Sequence, residues 1–180
     1  MMLLKKIFNK FYRYYLNLFY KTIKLDKSST IDYRSEIESK SNIIIGKKSI
    51  LYKSITIYKK NESLFKMGSE SHVAPYGYFL MDKYNITLGN RVVIAKNCSF
   101  FCVSNAIPID NSLFKDTYVQ GDIVVGNNVF IGTNCVVLPN TIIQDNVVVA
   151  SNSTIKGELE SGWLYGGNPV QKIKKVYVNG

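Results

Sequence analysis

Histidine occurs once in this chain of 180 residues, at His72, and cysteine three times, at Cys98, Cys102 and Cys135. A single histidine excludes a multi-histidine metal site, so no metal is expected. An odd number of cysteines with no Cys-x-x-Cys pair is neither a disulfide framework nor a zinc ribbon, which fits reduced thiols and a cytoplasmic protein. A long apolar run is also missing. The longest charge-free stretch in the first 25 residues, Tyr14 to Tyr20, falls far short of the ~20 residues of a membrane-spanning helix, and no signal peptide is expected. Acidic residues are absent from both ends. Residues 1–25 carry Lys5, Lys6, Lys10, Arg13, Lys21 and Lys24, and residues 161–180 carry Lys172, Lys174 and Lys175. The net charge of +10 therefore belongs to the termini. A nearly neutral middle argues against a nucleic-acid partner.

The N-terminal segment has a helical pattern over residues 3–25. Leu4, Ile7, Phe8, Phe11, Tyr15, Leu18 and Phe19 recur on one face, with Lys6, Lys10, Arg13, Asn17, Lys21 and Lys24 on the other. This basic amphipathic arm, residues 1–27, suits the surface of an anionic membrane, in which case the protein is peripheral at the inner membrane face. It equally suits packing on its own domain or on a sister subunit.

Beyond the arm the chain repeats every six residues. Val125, Ile131, Val137, Ile143, Val149 and Ile155 stand at strict hexad spacing, preceded two positions earlier by Ile123, Val129, Cys135, Thr141, Val147 and Ser153. The same period returns at Leu88, Ile94 and Phe100, at Met67, Val73 and Phe79, at Ile45, Leu51 and Ile57, and at Ile31 and Ile37. Six is not a multiple of 3.6, and Val, Ile, Asn and Gly are poor helix formers. Hairpins would need turn signals every 8–12 residues. The remaining solution is a coil of very short strands in which three hexads close one triangular turn and successive turns stack as in a sheet. Asn, Asp and Gly at the corners tolerate positive φ. The coil is expected over residues 28–160, with a long insertion at 103–122 and a C-terminal cap or tail at 161–180. Shorter breaks fall at 58–66 and 80–87. An insertion as long as 103–122 reads as functional.

The run Ile123 to Ser151 (IVVGNNVFIGTNCVVLPNTIIQDNVVVAS) and the ending Gly166-Gly167-Asn168-Pro169-Val170 resemble the hexapeptide-repeat acetyltransferases, especially the maltose, galactoside and capsular-polysaccharide O-acetyltransferase branch. The resemblance covers about 45–175. It implies an all-β fold, a left-handed parallel β-helix with an N-terminal α-helix and a long inserted loop. It also implies a homotrimer with acetyl-CoA in the groove between adjacent coil stacks. The implied activity is acetyl transfer to a sugar hydroxyl of a surface polysaccharide, capsular or lipopolysaccharide-type, or its precursor.

In the resembling branch the catalytic base is a histidine at the start of the long loop, 23 residues after an acidic residue that contacts the acceptor. Asp82 matches the acidic position, and 23 residues on stands Asn105. An amide cannot remove a proton, so four readings remain open. The chain is an inactivated form of a histidine enzyme, by nature or by engineering. Or the acceptor is an amino sugar, whose neutral amine needs less help, making an N-acetyltransferase. Or His72 or Asp82 supplies the base. Or activity has been lost and a β-helical scaffold remains. An antibiotic-modifying acetyltransferase of the same fold is a further alternative. His72 directly precedes the inward Val73, so it points outward, where a surface or interface role is the ordinary outcome. For the coenzyme, the resemblance offers Gly132 and Ala150 as small residues that admit the pantetheine arm. Phe130 offers a flat wall, and Lys156, Lys174 and Lys175 offer phosphate contacts. Small corner residues and solvated lysines explain the same positions without a ligand. Trp163 reads as a cap over the open end of the core.

Overall fold

The structure, a computed structural model, describes residues 2–176; the last four residues of the expected 161–180 tail lie outside the described residues. Helix α1 (Met2–Phe19) is followed by strands of two to five residues wound into a three-sided coil. Face A stacks β1 (Ile23–Leu25), β4 (Ile43–Ile45), β7 (Phe65–Met67), β10 (Ile86–Leu88), β15 (Ile123–Val125), β18 (Thr141–Ile143) and β21 (Glu158–Leu159). Face B stacks β2 (Thr30–Ile31), β5 (Ile50–Leu51), β8 (His72–Val73), β11 (Val93–Ile94), β16 (Phe130–Ile131), β19 (Val148–Val149) and β22 (Trp163–Gly166). Face C stacks β3 (Glu36–Ile37), β6 (Thr56–Lys59), β9 (Tyr78–Asp82), β12 (Ser99–Phe101), β17 (Val136–Val137) and β20 (Thr154–Ile155). All neighbours in these stacks are parallel, and the architecture is the three-sided coil expected from the hexads, in the left-handed β-helix form implied by the resemblance.

The hexad rows fill the interior. Ile131, Val137, Val149 and Ile155 are fully buried, as are their upstream counterparts Leu51, Ile57, Val73, Phe79, Ile94 and Phe100. Register places each on its equivalent one turn away, for example Ile94 on Ile131 and Phe100 on Val137. Each turn thus buries its apolar row only against its neighbours. At the corners Asn128, Asn134, Asn140, Asn146 and Asn152 all adopt left-handed φ between 54° and 60°. Asparagine meets that need at low steric cost.

Glycine is required elsewhere for a different reason. Gly46, Gly68, Gly89 and Gly126 follow the face A strands and stack on one another, and a Cβ on Gly89 would lie 2.4 Å from the Gly126 carbonyl oxygen. That atom is backbone in the ladder and cannot step aside. Gly89→Val is therefore expected to destabilise by about 2–4 kcal/mol, by overpacking rather than by loss of a contact. Thermal unfolding checks this, with Asn90→Val, one residue away, expected to cost less.

The coil begins earlier than the sequence pattern indicates. Helix α1 ends at Phe19 rather than near residue 25, because Ile23 and Leu25 alternate inward and pair with Ile43 and Ile45 as the first strand. The helix caps this first turn. Leu16 is fully buried, the Asn17 side chain both donates to the Leu25 carbonyl and accepts from its N–H, and Arg13 donates to the Ser29 carbonyl. Lys5 and Arg34 hold the buried Asp32 carboxylate at 3.0 and 2.8 Å. Burial alone would raise the Asp32 pKa, but these hydrogen bonds hold it well below the ordinary carboxylate range. At the other end β22 turns back into an antiparallel strand, β23 (Gln171–Lys175). Tyr165 closes the core there, its hydroxyl accepting from the Glu160 N–H, and Trp163 packs beside it as the expected cap.

Candidate functional site

The insertion at 103–122 leaves the edge between faces C and A. It is a hairpin, not an irregular loop: β13 (Val103–Asn105) pairs antiparallel with β14 (Tyr118–Gln120), and a short 3-10 turn, Phe114–Asp116, closes its outer end. Its base is braced on the neighbouring turn. Tyr84 donates its hydroxyl to the Gln120 side chain at 2.7 Å, and Asp122 accepts from the Asn85 N–H at 2.9 Å. The same edge carries Lys59 at the end of β6 and Lys60 after it, Asp82 at the end of β9, Leu138 and Pro139 after β17, and Lys156 after β20.

Asp82 takes a left-handed φ of 50°, where the β6–β9 register shifts. That kink turns its carboxylate to the Lys60 ammonium at 2.6 Å, and the pairing pushes the Lys60 pKa up. Asp82 keeps about a third of its side chain exposed, so one carboxylate oxygen is oriented while the group stays open to an acceptor.

Asn105 stands across the edge in β13. Its side-chain amide donates to the Phe114 carbonyl at 2.7 Å and thereby ties the hairpin to its own 3-10 turn. The amide oxygen and the second amide hydrogen have no partner among the described residues. Lys156 joins Asn105 in one cleft of about 360 Å³, completed by Ser104, Ala106, Leu138 and Pro139. The structure therefore brings Asn105 and Lys156 together and sets Asp82 on the same edge.

His72 is not part of this group. It lies on face B, opposite the C–A edge, with its ring edge-on to Tyr52 at 6.0 Å. Register places His72, Val93, Phe130 and Val148 in one outward column of face B. Phe130 is exposed, above a shallow hollow that also involves Arg91 and Val176.

The small residues offered for the coenzyme are fixed by the coil. The Gly132 N–H donates to the Val149 carbonyl and the Ala150 N–H to the Tyr165 carbonyl, so neither amide is free for a ligand. A Cβ on Gly132 would lie 2.5 Å from the Ser151 nitrogen, which accounts for glycine there by stacking alone. Lys174 and Lys175 lie exposed on β23, with the Lys175 ammonium 5.7 Å from the Trp163 ring centroid.

Lys60, Tyr84 and Gln120 are site elements that linear sequence reading missed. Lys60 was findable to within one residue: counting the four-residue slip between the hexads of Ile57 and Met67 places position 60 one turn below Asp82, and a register shift sets Lys59 opposite Asp82 with Lys60 next to it.

Beneath Lys60, Lys59 is buried, donating to the Lys60 carbonyl at 2.7 Å and the Ser41 carbonyl at 3.0 Å. Burial pulls its pKa down to about 8, against a smaller upward pull from Glu62. Between about 8 and the ordinary 10.5, the folded chain holds fewer protons here than the unfolded chain. The Lys59 contribution to stability thus rises with pH across that window and is least favourable below it. Lys59→Met is expected to remove this slope and to stabilise the protein at neutral pH by about 1–3 kcal/mol. Melting curves of both proteins at neutral and alkaline pH give the test; equal slopes would contradict it.

Residues 122–157 match the family described as bacterial transferase hexapeptide (six repeats). No curated protein matches the chain by sequence. Among solved structures it is similar to a variant of AntD, an N-acyltransferase from Bacillus cereus, in complex with dTDP-4-amino-4,6-dideoxyglucose and coenzyme A. That likeness has 22% identity over 88% of this chain and 87% of that one, with a TM-score of 0.75. It is also similar to the hexapeptide-repeat acetyltransferase VCA0836 from Vibrio cholerae (20% identity, 94% and 82% coverage, TM-score 0.62). A maltose O-acetyltransferase from Clostridium difficile is a third likeness (20% identity, 91% and 73% coverage, TM-score 0.56). At these identities the likenesses establish the shared coil. With the repeat match inside that coil, residues 122–157 carry the hexapeptide repeat, and the chain has the left-handed β-helix fold.

Proposed function

We propose that this protein is a coenzyme-A-dependent acyltransferase whose acceptor is a sugar amine, bound at the C–A edge between Asp82 and the 103–122 hairpin. The observation that carries the reading is the division of labour at that edge. Asp82 offers an oriented, accessible carboxylate, whereas Asn105 carries no basic group and gives one of its two amide hydrogens to the Phe114 carbonyl. A neutral amine is nucleophilic without a base that strips a hydroxyl. Its nitrogen lone pair attacks the thioester carbonyl carbon, the C–S bond breaks, and the coenzyme thiolate leaves and takes up a proton. The nitrogen loses one proton in forming the amide. Asp82 accepts a hydrogen bond from the ammonium or amine, draws off that proton and holds the nitrogen in line. Lys60 keeps the carboxylate aimed. The AntD likeness, crystallised with an amino-sugar nucleotide and coenzyme A, supports this class of acceptor and donor.

The donor fits a groove between copies of the chain. The outward column His72, Val93, Phe130 and Val148 on face B gives a second copy a largely apolar strip to pack on, in a homotrimer whose threefold axis lies outside each coil. Lys156 lies at the mouth of the cleft beside Asn105, where a phosphate or the thioester oxygen would meet it, and Lys174 and Lys175 add charge at the far end of the coil. Acetyl-CoA is the donor of this reading.

A second reading, transfer to a hydroxyl of a surface polysaccharide or its precursor, needs a base. His72 is opposite the edge within one chain, so it could act only from a neighbouring copy packed by face B against the C–A edge. The two readings separate on one assay, thiol release from acetyl-CoA with paired acceptors that differ only in an amine or a hydroxyl. The amine reading expects release with the amine alone. Release with the hydroxyl, abolished by His72→Ala, would replace it with the second reading. Asn105→His offers a further check. The amine reading expects it to confer no hydroxyl transfer and to loosen the hairpin, because the Asn105–Phe114 hydrogen bond is lost; gained hydroxyl transfer would mark Asn105 as an inactivated base position.

A further inference from the structure

Helix α1 seats on the coil by its polar edge and turns its apolar face outward. Asn9, Arg13, Leu16 and Asn17 contact the first turn, and the Asn9 side chain accepts from the Tyr33 N–H. Phe8, Phe11, Leu18 and Phe19 are left with half or more of their surface exposed, Phe11 at 69%. The helix covers the first turn, through β1 and β2, and this face points away from it. Two cavities meet there. One is an open hollow on the helix surface edged by Ile7, Phe11 and Tyr14, and one of about 360 Å³, between helix and coil, is lined by Lys6, Lys10, Arg13 and Lys27 with Ser29 and Thr30. Lys10 and Arg13 border both.

The charge pattern selects the occupant. Residues 2–25 contain no acid, so a second copy of this face would bring lysines against lysines. An extended partner that is anionic at its surface and apolar just beneath it satisfies both features at once. We propose that α1 docks flat on an anionic phospholipid membrane, its apolar face entering the acyl boundary and a lipid phosphate seating in the Lys6–Lys10–Arg13–Lys27 cleft. Arg13 is anchored to the Ser29 carbonyl by one nitrogen, which leaves the rest of its guanidinium directed at the cleft. Among the described residues no helix is long and apolar enough to cross a membrane, so the contact is peripheral. The docking inference stands apart from the acyltransferase reading and survives its failure.

Co-sedimentation of the full chain with vesicles tests it. Phosphatidylcholine vesicles containing about 30% phosphatidylglycerol should bind the protein, pure phosphatidylcholine should bind it far less, and salt at about 0.5 M should release most of it. The triple variant Lys6→Gln, Lys10→Gln and Lys27→Gln should bind roughly a hundredfold more weakly. Lys21→Gln with Lys24→Gln, outside the cleft, should lose less per charge removed. Phe11→Ser with Leu18→Ser should weaken binding at every salt concentration, with circular dichroism unchanged because both side chains are exposed. Equal pelleting with both lipids, or no pelleting, would overturn membrane docking. Equal loss per charge inside and outside the cleft would overturn the phosphate seat. A larger assembly in solution that Phe11→Ser and Leu18→Ser dissolves would assign the face to self-association, and capture by an acidic polypeptide with no vesicle binding would assign it to a protein.

Discussion

Asp82→Asn is expected to lower kcat/KM for a sugar-amine acceptor by about 10²–10⁴-fold while leaving coenzyme A affinity unchanged. Asparagine keeps the shape of the side chain and tolerates the left-handed φ that Asp82 adopts, so β9 and its pairing should persist. What disappears is the negative charge that orients an ammonium and draws off its proton. Lys60 loses its partner and stays solvated at the surface, which costs little stability. The pattern of loss carries further information. Lys60→Met keeps the carboxylate but frees its orientation, so a smaller fall, about tenfold, is expected, mostly in kcat. Steady-state kinetics with both variants, alongside calorimetric titration of coenzyme A, make the measurement. Full activity of Asp82→Asn would remove Asp82 from the reaction.

The largest stability effect is expected at the centre of the coil. Phe79 lies between Phe65, edge-on at 5.2 Å, and Phe100, stacked at 4.9 Å, and all three are fully buried. Phe79→Ala leaves a cavity that neighbouring turns cannot close, because each is held by ladder bonds to the turns above and below. A loss of about 3–5 kcal/mol follows, corresponding to a fall in Tm of roughly 6–20 °C. Phe79 also begins the stretch of β9 that ends in Asp82, so the variant should lose acceptor affinity before coenzyme affinity as temperature rises. A change in Tm below about 2 °C would mean that the three rings do not form one packed unit.

The coil was readable in the sequence because its code is local and repetitive. One aliphatic residue every six positions, with small residues two earlier and Asn at the corners, leaves few other structures, and register confirms Ile131, Val137 and Ile155 in the interior. The ends of the coil were less legible. Ile23 and Leu25 satisfy both a helical stripe and an alternating strand, and only pairing with Ile43 and Ile45 decides between them. The orientation of α1 was not readable either. Its apolar face looks like the side to bury, yet Asn9, Arg13 and Asn17 make directional bonds to backbone groups of the first turn that an aliphatic face could not satisfy.

At the candidate site, the 23-residue spacing of the resembling branch singled out Asp82 and Asn105, and the structure sets Asp82 at the end of β9 and Asn105 in the hairpin strand β13. It could not reveal that the Asn105 amide is taken up by Phe114, that Lys60 orients Asp82, or that His72 falls on the opposite face. The Lys60–Asp82 pair joins neighbouring turns of the coil, and the Asn105–Phe114 bond depends on how the hairpin folds back on itself. Gly132 and Ala150 show the reverse limit: their small size reads as room for a ligand, while the coil itself demands it.

The most direct test is the acceptor competition itself: acetyl-CoA supplied with an amino sugar nucleotide and, separately, with its hydroxyl counterpart, following thiol release and product mass together. Thiol release and an N-acetylated product with the amine alone, both lost in Asp82→Asn, is the expected result. Acetylation of the hydroxyl at a comparable rate, or no transfer to either acceptor by protein that binds coenzyme A, would contradict a sugar-amine acyltransferase centred on Asp82.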